Sequence, residues 1–277
     1  YNTISTLGEK THMKKLLLPI GIVLTTVFLF ILIGNNIKSS TLKVLTMNEL
    51  HTYVYKDNQY ISIPIYVNDK RIPLTNIDRV SRVGFESKDQ SKKLEVNLQE
   101  IMFEHEESYL NETYYKFIYT FKMPLLNERF YIEDCYLSIR LENQKTYKYS
   151  IGSLYLNYTK SKNSDLFDWK SISGEKPKNS YESKIDKVLI QFNQMSFNIK
   201  RITIDGLNNL SYDIDEESNL LTIYTDYSFL INTYFPLMID YEISGEDFTF
   251  VLDNYPFVID YESLSENGLY INEYLFD

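Results

Sequence analysis

The uncharged segment Leu16–Ile33 limits what this chain can fold into more than any other feature of its sequence. Its eighteen residues contain no charged side chain, and two threonines are its most polar members. As a helix the segment would span about 27 Å, close to the roughly 30 Å hydrocarbon core of a bilayer. A helix in a globular core normally keeps one polar face, which this segment lacks. The sequence therefore predicts a transmembrane helix at residues 16–34.

Basic residues on either side of this segment predict its orientation. Lys14 and Lys15 precede it, whereas only Lys38 follows it closely. Because basic residues concentrate on the cytoplasmic side of a membrane helix, residues 1–15 are expected to be a cytoplasmic tail or an upstream extension. The rest of the chain is then extracytoplasmic, on a single-pass protein of the cell membrane.

A cleaved signal peptide is the alternative to an uncleaved signal-anchor. Met13 followed by two lysines is typical of the start of a signal peptide. However, the apolar segment is longer than the usual range of roughly 7–15 residues, and no A-x-A cleavage motif follows it. The uncleaved anchor is favoured for these reasons, and both interpretations export the remainder.

Apolar and polar residues alternate along much of the chain after residue 40, which predicts β-strands. Ile61 and Ile63 share one face of a predicted strand, and Tyr119 and Phe121 share a face of another, with lysines and threonines opposite. Such alternation is typical of antiparallel strands with one face toward a core and one toward water. Pro64 lacks an N–H for a sheet ladder, so its strand is expected at a sheet edge. The predicted fold class is all-β, with one or two antiparallel β-sandwich-like domains after the transmembrane helix.

A change in composition predicts how this β region is divided. Residues 161–185 are rich in Ser, Lys and Asn, which indicates a polar linker or a long loop. A β-rich domain is therefore predicted at 41–160 and an acidic β-rich domain at 186–277. The alternative is one split sandwich, because about ninety residues are few for a sandwich of its own.

The acidic residues are concentrated at one end. Residues 201–277 contain sixteen Asp and Glu but one basic residue, Arg201, which is a net charge of −15; the other 200 residues carry a net charge of +5. An acidic surface argues against nucleic-acid binding, which requires basic patches. The favoured interpretation is a solvated acidic face that keeps an exported protein soluble, and the alternative is a docking surface for a cationic peptide, a basic protein or Ca²⁺. The densest acidic cluster comprises Asp213, Asp215, Glu216 and Glu217.

Residues that could carry catalysis are scarce. His105 lies between Glu104 and Glu106, but neighbours on a strand point to opposite faces, so these three residues are not expected to bind one metal ion. Cys135 is the only cysteine, and its alternation with apolar residues predicts a buried thiol. His51 has no nucleophile motif near it, and the nine glycines never form G-x-G. No catalytic, cofactor-binding or metal site is predicted, and the chain is not expected to be an enzyme.

The leading functional hypothesis is a non-enzymatic binding or assembly protein. It would be tethered by the N-terminal helix and would contact another envelope or membrane protein. One alternative is a glycan- or peptide-binding module that uses exposed tyrosines. Another is an envelope hydrolase that uses two carboxylates.

Overall fold

The computed structural model describes most of the chain after residue 40. The predicted cytoplasmic tail at 1–15 and the predicted transmembrane helix at 16–34 lie outside the described residues. Within the described part of the chain, no helix is long and apolar enough to cross a membrane. Residues Leu42–Asp277 form one compact unit. The described residues are 41–54, 60–124, 126, 128–157, 162–177, 185–204, 207, 209–225, 230–231, 234–256, 263–266 and 268–277.

Eight strands build the first part of the fold. They are β1 (Lys43–Met47), β2 (Glu49–Val54), β3 (Tyr60–Val67), β4 (Val80–Ser87), β5 (Lys93–Tyr109), β6 (Glu112–Lys122), β7 (Phe130–Leu141) and β8 (Thr146–Asn157). One sheet has the order β1-β3-β6-β5 and the other β2-β8-β7-β4, with β2 parallel to β8 and all other pairs antiparallel. The first residues of β5 pair with β4 and the remainder pair with β6, so β5 joins the two sheets. Two 3-10 turns, Pro73–Thr75 and Ile77–Arg79, connect β3 to β4.

Apolar side chains from both sheets fill the core of this first sandwich. Ile61 and Ile63 on β3 are buried in the same cluster as Tyr119 and Phe121 on β6 and Leu137 on β7. Burying one such side chain contributes roughly 1.5–3 kcal/mol to stability. Because side chains alternate between the two faces of a strand, the face that carries the apolar residues packs against the core. The prediction of half-buried antiparallel strands is confirmed here, and the fold is all-β with several sheets.

A second sandwich follows. Its strands are β9 (Trp169–Glu175), β10 (Lys187–Phe192), β11 (Asn198–Thr203), β12 (Tyr212–Asp215), β13 (Leu220–Tyr224), β15 (Tyr234–Ile243) and β16 (Glu246–Pro256), with the short β14 (Leu230–Ile231) before β15. One sheet has the order β12-β13-β10-β9 and the other β11-β15-β16. Phe167, Phe192, Phe197, Tyr241 and Phe250 contribute aromatic rings to the core that both sheets enclose. Strand β14 pairs with β2 of the first sandwich.

The two sandwiches have the same strand order. In the first, β1-β3-β6-β5 face β4-β7-β8, and in the second, β9-β10-β13-β12 face β11-β15-β16. When β2 and β14 are left out and the remaining seven strands of each sandwich are numbered in chain order, one sheet is 1-2-5-4 and the other 3-6-7. This is the strand order of a constant-type immunoglobulin domain. The predicted division into separate domains at 41–160 and 186–277 stays a prediction.

The C-terminal tail, residues 263–277, returns to the first sandwich. It contains helix α1 (Ser263–Glu266), a 3-10 turn (Gly268–Tyr270) and β17 (Ile271–Leu275). Strand β17 pairs antiparallel with β1 and extends the first sheet beyond it. Leu264 of α1 is fully buried with Leu45, Tyr66 and Tyr114 on the outer face of that sheet. The tail therefore belongs to the first sandwich by its contacts, although the acidic domain was predicted to extend to residue 277.

Two local predictions are wrong. Pro64 was expected to mark an edge strand, yet β3 lies between β6 and β1. Strand β1 pairs only with Tyr66 and Val67 of β3, so no neighbouring ladder is interrupted at Pro64 on that side. The predicted linker at 161–185 contains strand β9, which the polar composition concealed because Ile172 is its one buried residue.

Candidate functional site

His51 and Cys135 both lie inside the first sandwich. The Cys135 side chain is fully buried, and burial raises the pKa of its thiol, so the prediction of a core thiol is confirmed. His51 is 1% exposed, and its Nε2 lies 3.2 Å from the carbonyl oxygen of Ile151. Burial lowers the pKa of His51 to about 4, so its ring is neutral at pH 7. Neither side chain is placed to meet a substrate.

A β-bulge changes the expected geometry around His105. Phe103 pairs with Phe117 and His105 pairs with Lys116, which leaves Glu104 as an extra residue in β5. A bulge of this kind re-aims the side chains that follow it. Glu104 and His105 consequently approach each other, with 3.5 Å between Glu104 Oε2 and His105 Nδ1. The assumption that neighbouring side chains here point to opposite faces is therefore wrong.

The bulge creates a compact group of ionisable side chains, the His105 cluster, formed by Glu104, His105, Glu107 and Lys116. His105 Nε2 lies 2.9 Å from Glu107 Oε1, and Lys116 Nζ lies 2.8 Å from Glu104 Oε2. Glu107 is 4% exposed, and its second oxygen accepts a 2.7 Å hydrogen bond from the backbone N–H of Leu264. Burial raises the pKa of Glu107, and its hydrogen bonds oppose that rise.

This cluster fastens the tail rather than assembling a reaction centre. Both ring nitrogens of His105 face carboxylates, so neither nitrogen is directed at a nucleophile. Glu107 satisfies one of the N–H groups that a helix leaves unpaired at its start, here that of Leu264 in α1. Glu106, the third residue of the original triplet, instead pairs with Lys70 at 3.0 Å.

The predicted calcium cluster lies at the turn between β12 and β13, where its own turn engages its carboxylates. Asp215 accepts hydrogen bonds from the backbone N–H groups of Glu217 and Ser218, and Asp213 accepts one from the Tyr224 hydroxyl at 2.7 Å. Across the described residues, no group of three or more His, Cys, Asp or Glu side chains is arranged to hold a metal ion. Calcium binding stays a prediction.

The outer side of strands β4, β7 and β8 presents a second group of charged residues, which sequence reasoning did not single out. We call it the β4–β7–β8 face. Arg82 forms an ion pair with Glu95 of β5, and the side chains of both are 60% exposed. Lys148 Nζ lies 2.6 Å from Glu86 Oε1. Arg140 is exposed beside Arg82 in the register of β4 and β7.

Gly84 forms the floor of this face. A Cβ at this position would lie 2.9 Å from the carbonyl oxygen of Leu94, closer than side-chain carbons normally come. The strand therefore has no side chain there, and a shallow groove remains between Arg82, Glu86, Glu95 and neighbouring side chains. The alternating charges around a bare stretch of backbone are suited to a complementary protein surface.

Two tyrosines continue the same side of the sheet. Tyr131 and Tyr155 stack with their ring centroids 5.8 Å apart, and Lys92 Nζ lies 3.5 Å from the Tyr131 centroid. Tyr131 is 42% exposed, whereas Tyr155 packs against the core of the second sandwich. The other strongly exposed tyrosine among the described residues, Tyr60, lies on β3 in the opposite sheet. A platform of several exposed tyrosines on one face, which the ligand-capture hypothesis requires, is therefore not formed by the described residues.

Comparisons with known proteins give no family. No protein-family model matches the chain, and no curated protein matches it. Among solved structures, zebrafish RET cadherin-like domains 1 to 4 match at 10% identity and a TM-score of 0.25, covering 76% of this chain and 49% of that one. The chain thus spans about half the length of that structure.

Two further solved structures match at similarly low scores. Bovine butyrophilin matches at 9% identity and a TM-score of 0.21, with 76% of this chain and 97% of that one covered. The tandem Ig repeats of Dlar match at 11% identity and a TM-score of 0.21, with 76% and 94% covered. Scores this low carry no argument about function, so the strand order and the surface must support any proposal.

Proposed function

We propose that residues 42–277 are the extracytoplasmic part of a membrane-tethered, non-enzymatic protein that binds another envelope or membrane protein. The tether is the apolar segment at 16–34, and the binding surface is the β4–β7–β8 face. A fold can host many functions, so the proposal depends on this surface and not on the immunoglobulin-type strand order.

The observation that carries the proposal is the difference between the two outer faces of the first sandwich. On one face, Leu264 of the tail covers Leu45 and Tyr114, and all three are buried. On the other, Arg82 and Glu95 remain exposed around Gly84. Exposed charges arranged with both signs give partner selectivity and faster association more than raw affinity, which is what an assembly contact requires.

The positions of the histidines support a role without catalysis. His51 is enclosed in the first core, and His105 is held between two carboxylates that also fasten the tail. A Ser-His-Asp mechanism needs an accessible imidazole beside a nucleophile. The two histidines within the described residues serve packing and fastening instead.

The proposal is tested by co-purification from detergent-solubilised membranes with charge reversal on the face. The variant is Arg82→Glu with Arg140→Glu, and the matched control is Lys170→Glu, an exposed cation on β9. We expect the wild-type chain and the control to recover the same partner and the double variant to lose it. Because Arg82 pairs with Glu95, the thermal midpoint of the double variant is compared with that of the wild type, and loss of the partner at an unchanged midpoint would report binding.

A second comparison separates the tether from the face. If residues 41–277 without the apolar segment recover the same partner, the β region is the binding module. Equal recovery by the double variant and the control would assign binding to another surface and overturn the role of the β4–β7–β8 face.

A further inference from the structure

The first sandwich holds the C-terminal tail as it would hold a bound peptide. Strand β17 adds to the edge of β1 through five register pairs, from Lys43 with Leu275 to Met47 with Ile271. The pairing continues beyond both ends of the strand. The N–H of Asn48 donates to the carbonyl oxygen of Tyr270 at 2.8 Å, and that of Phe276 donates to Leu42 at 2.9 Å. This is the β-strand addition by which many proteins bind extended peptides.

Three apolar side chains anchor the tail in addition to its backbone. Leu264 is fully buried on the outer face of the sheet. Phe276 stacks on Tyr147 with 4.6 Å between ring centroids, and the Tyr274 hydroxyl accepts a 2.8 Å hydrogen bond from the Ser150 N–H. We call the surface that holds the tail the tail groove. It consists of the edge of β1, the outer face around Tyr114 and the first residues of β8.

The groove is also matched to the charges of the tail. Lys43 Nζ lies 3.5 Å from Glu273 Oε1, and Lys145 Nζ donates to the Asp277 carbonyl oxygen at 3.0 Å. At the other end, Glu107 accepts the N–H of Leu264. Backbone, apolar and charged contacts therefore all contribute to binding residues 263–277 in the tail groove.

We propose that the tail groove also accepts residues 263–277 of a second copy, so that two chains exchange their tails. Six residues separate Pro256, the end of β16, from Ser263, the start of the tail. Six residues bridge about 25 Å at most, a length that allows the tail to reach an adjacent molecule. The exchanged form makes the same contacts as the unexchanged form, which is why swapping an identical element is a low-cost route to a dimer.

Two further effects set the balance between the two forms. The proposed tether at residues 16–34 would confine the copies to a membrane, which raises their effective concentration and favours exchange. The net charge of −15 in residues 201–277 repels a second copy, and salt screens that repulsion. Exchange is therefore expected to increase with ionic strength. This inference rests on the proposed tether but does not depend on the partner proposed for the β4–β7–β8 face.

The test uses intermolecular disulfides in the full chain. Lys43 and Leu275 are directly paired across β1 and β17, and Leu275 is 59% exposed. Paired Cα atoms on antiparallel strands lie about 4.5–5.5 Å apart, within the range that a disulfide spans. We would co-express a Lys43→Cys chain with a Leu275→Cys chain and analyse the membranes by non-reducing electrophoresis. The expected result is a covalent dimer that contains one chain of each kind.

The controls decide between exchange and an unexchanged tail. A Glu100→Cys chain, with an exposed cysteine on β5 outside the groove, replaces Lys43→Cys to measure random cross-linking. One chain carrying both Lys43→Cys and Leu275→Cys reports the tail of the same molecule. Intrachain disulfide in that chain, with no dimer above the Glu100→Cys background in the mixture, would overturn the proposal. Absence of both disulfides would overturn it too, because the tail would then not occupy the groove.

Discussion

The two sandwiches share a strand order but close their cores by different means. In the first, β5 joins both sheets, β2 adds to the edge beside β8, and the tail covers one outer face. In the second, Phe167 lies at the centre of an aromatic cluster, with Tyr241, Phe250 and Phe197 at centroid distances of 4.5, 4.6 and 4.8 Å. The same topology is thus completed by additional backbone pairing in one half and by aromatic packing in the other.

The halves also differ in how solution conditions act on them. Residues 162–256, which contain the second sandwich, have sixteen Asp and Glu and eight Lys and Arg, a net charge of −8, and no histidine occurs after His105. Salt is therefore expected to affect the second sandwich through its repelling carboxylates. Mild acid is expected to affect the first through its buried histidine.

The largest expected effect comes from removing one core ring in either half. Phe192 and Phe121 are 2% and 0% exposed, in the second and first core respectively. Truncation to alanine typically costs about 3–5 kcal/mol at such positions. Trp169, the only tryptophan, lies on β9, so its fluorescence follows the second sandwich. We expect Phe192→Ala to lower the urea midpoint of Trp169 fluorescence more than Phe121→Ala does, while circular dichroism detects both.

Leu166→Ala is the matched control, because Leu166 is 53% exposed near the same sheet. It should leave the fluorescence midpoint almost unchanged. If Phe121→Ala and Phe192→Ala shift the fluorescence midpoint equally, the two sandwiches unfold as one cooperative unit and the predicted domain division is wrong.

The contrast between the halves also explains what the sequence could predict. Alternation identified the strands that contain Ile61 and Phe121, because a half-buried strand must repeat every two residues. The bulge at Glu104 adds one residue and shifts that period, so the approach of Glu104 to His105 has no local signature. The pairing of β17 with β1 joins residues more than two hundred positions apart, and period-two patterns do not reveal which strands pair.

The open surface was missed for a related reason. Arg82, Glu86 and Arg140 look like ordinary solvent-facing residues of two separate strands in the sequence. They form a common face because β4 lies next to β7, an order that depends on the sandwich topology. Gly84 was a usable signal, since a glycine inside a strand often marks a close backbone approach.

The second expected effect concerns a glycine in each half. Gly152 has φ +98°, and a Cβ there would lie 2.2 Å from the carbonyl oxygen of Glu49 on β2. Gly245, in the turn between β15 and β16, has φ +86° and open space around it. We expect Gly152→Ala to destabilise the first sandwich by about 3 kcal/mol, through backbone strain and lost pairing with β2. Gly245→Ala should cost about 1 kcal/mol from the unfavourable φ alone.

Thermal unfolding of the two glycine variants measures this difference. A similar loss from both would mean that the approach of Glu49 to Gly152 does not stabilise the first sandwich. Hydrogen exchange at β2 should also accelerate in Gly152→Ala and remain unchanged in Gly245→Ala, because only the first substitution disturbs the pair Glu49 and Gly152.

The smallest expected effect depends on pH and concerns His51. Burial lowers its pKa from an ordinary 6.5 to about 4, although the carbonyl oxygen of Ile151, 3.2 Å from Nε2, favours the charged ring. The unfolded chain therefore binds the proton more readily than the folded chain does. The free energy of unfolding is therefore highest above about pH 6.5, where His51 is neutral in both states. It decreases as the pH falls from 6.5 toward 4, because the unfolded chain binds a proton at His51 and the folded chain does not. With 1.36 kcal/mol for each pKa unit, the loss is about 2 kcal/mol at pH 5.

A His51→Gln variant isolates this contribution, because every other titrating group is common to both chains. The difference in unfolding free energy between wild type and variant should change by about 2 kcal/mol between pH 7 and pH 5, with the variant less sensitive to acid. In the wild type, circular dichroism should detect the loss before Trp169 fluorescence does, since the second sandwich has no histidine. Parallel pH profiles for the two chains would show that His51 is not the acid-sensitive group, and the contrast between the halves would then rest on packing and carboxylate charge alone.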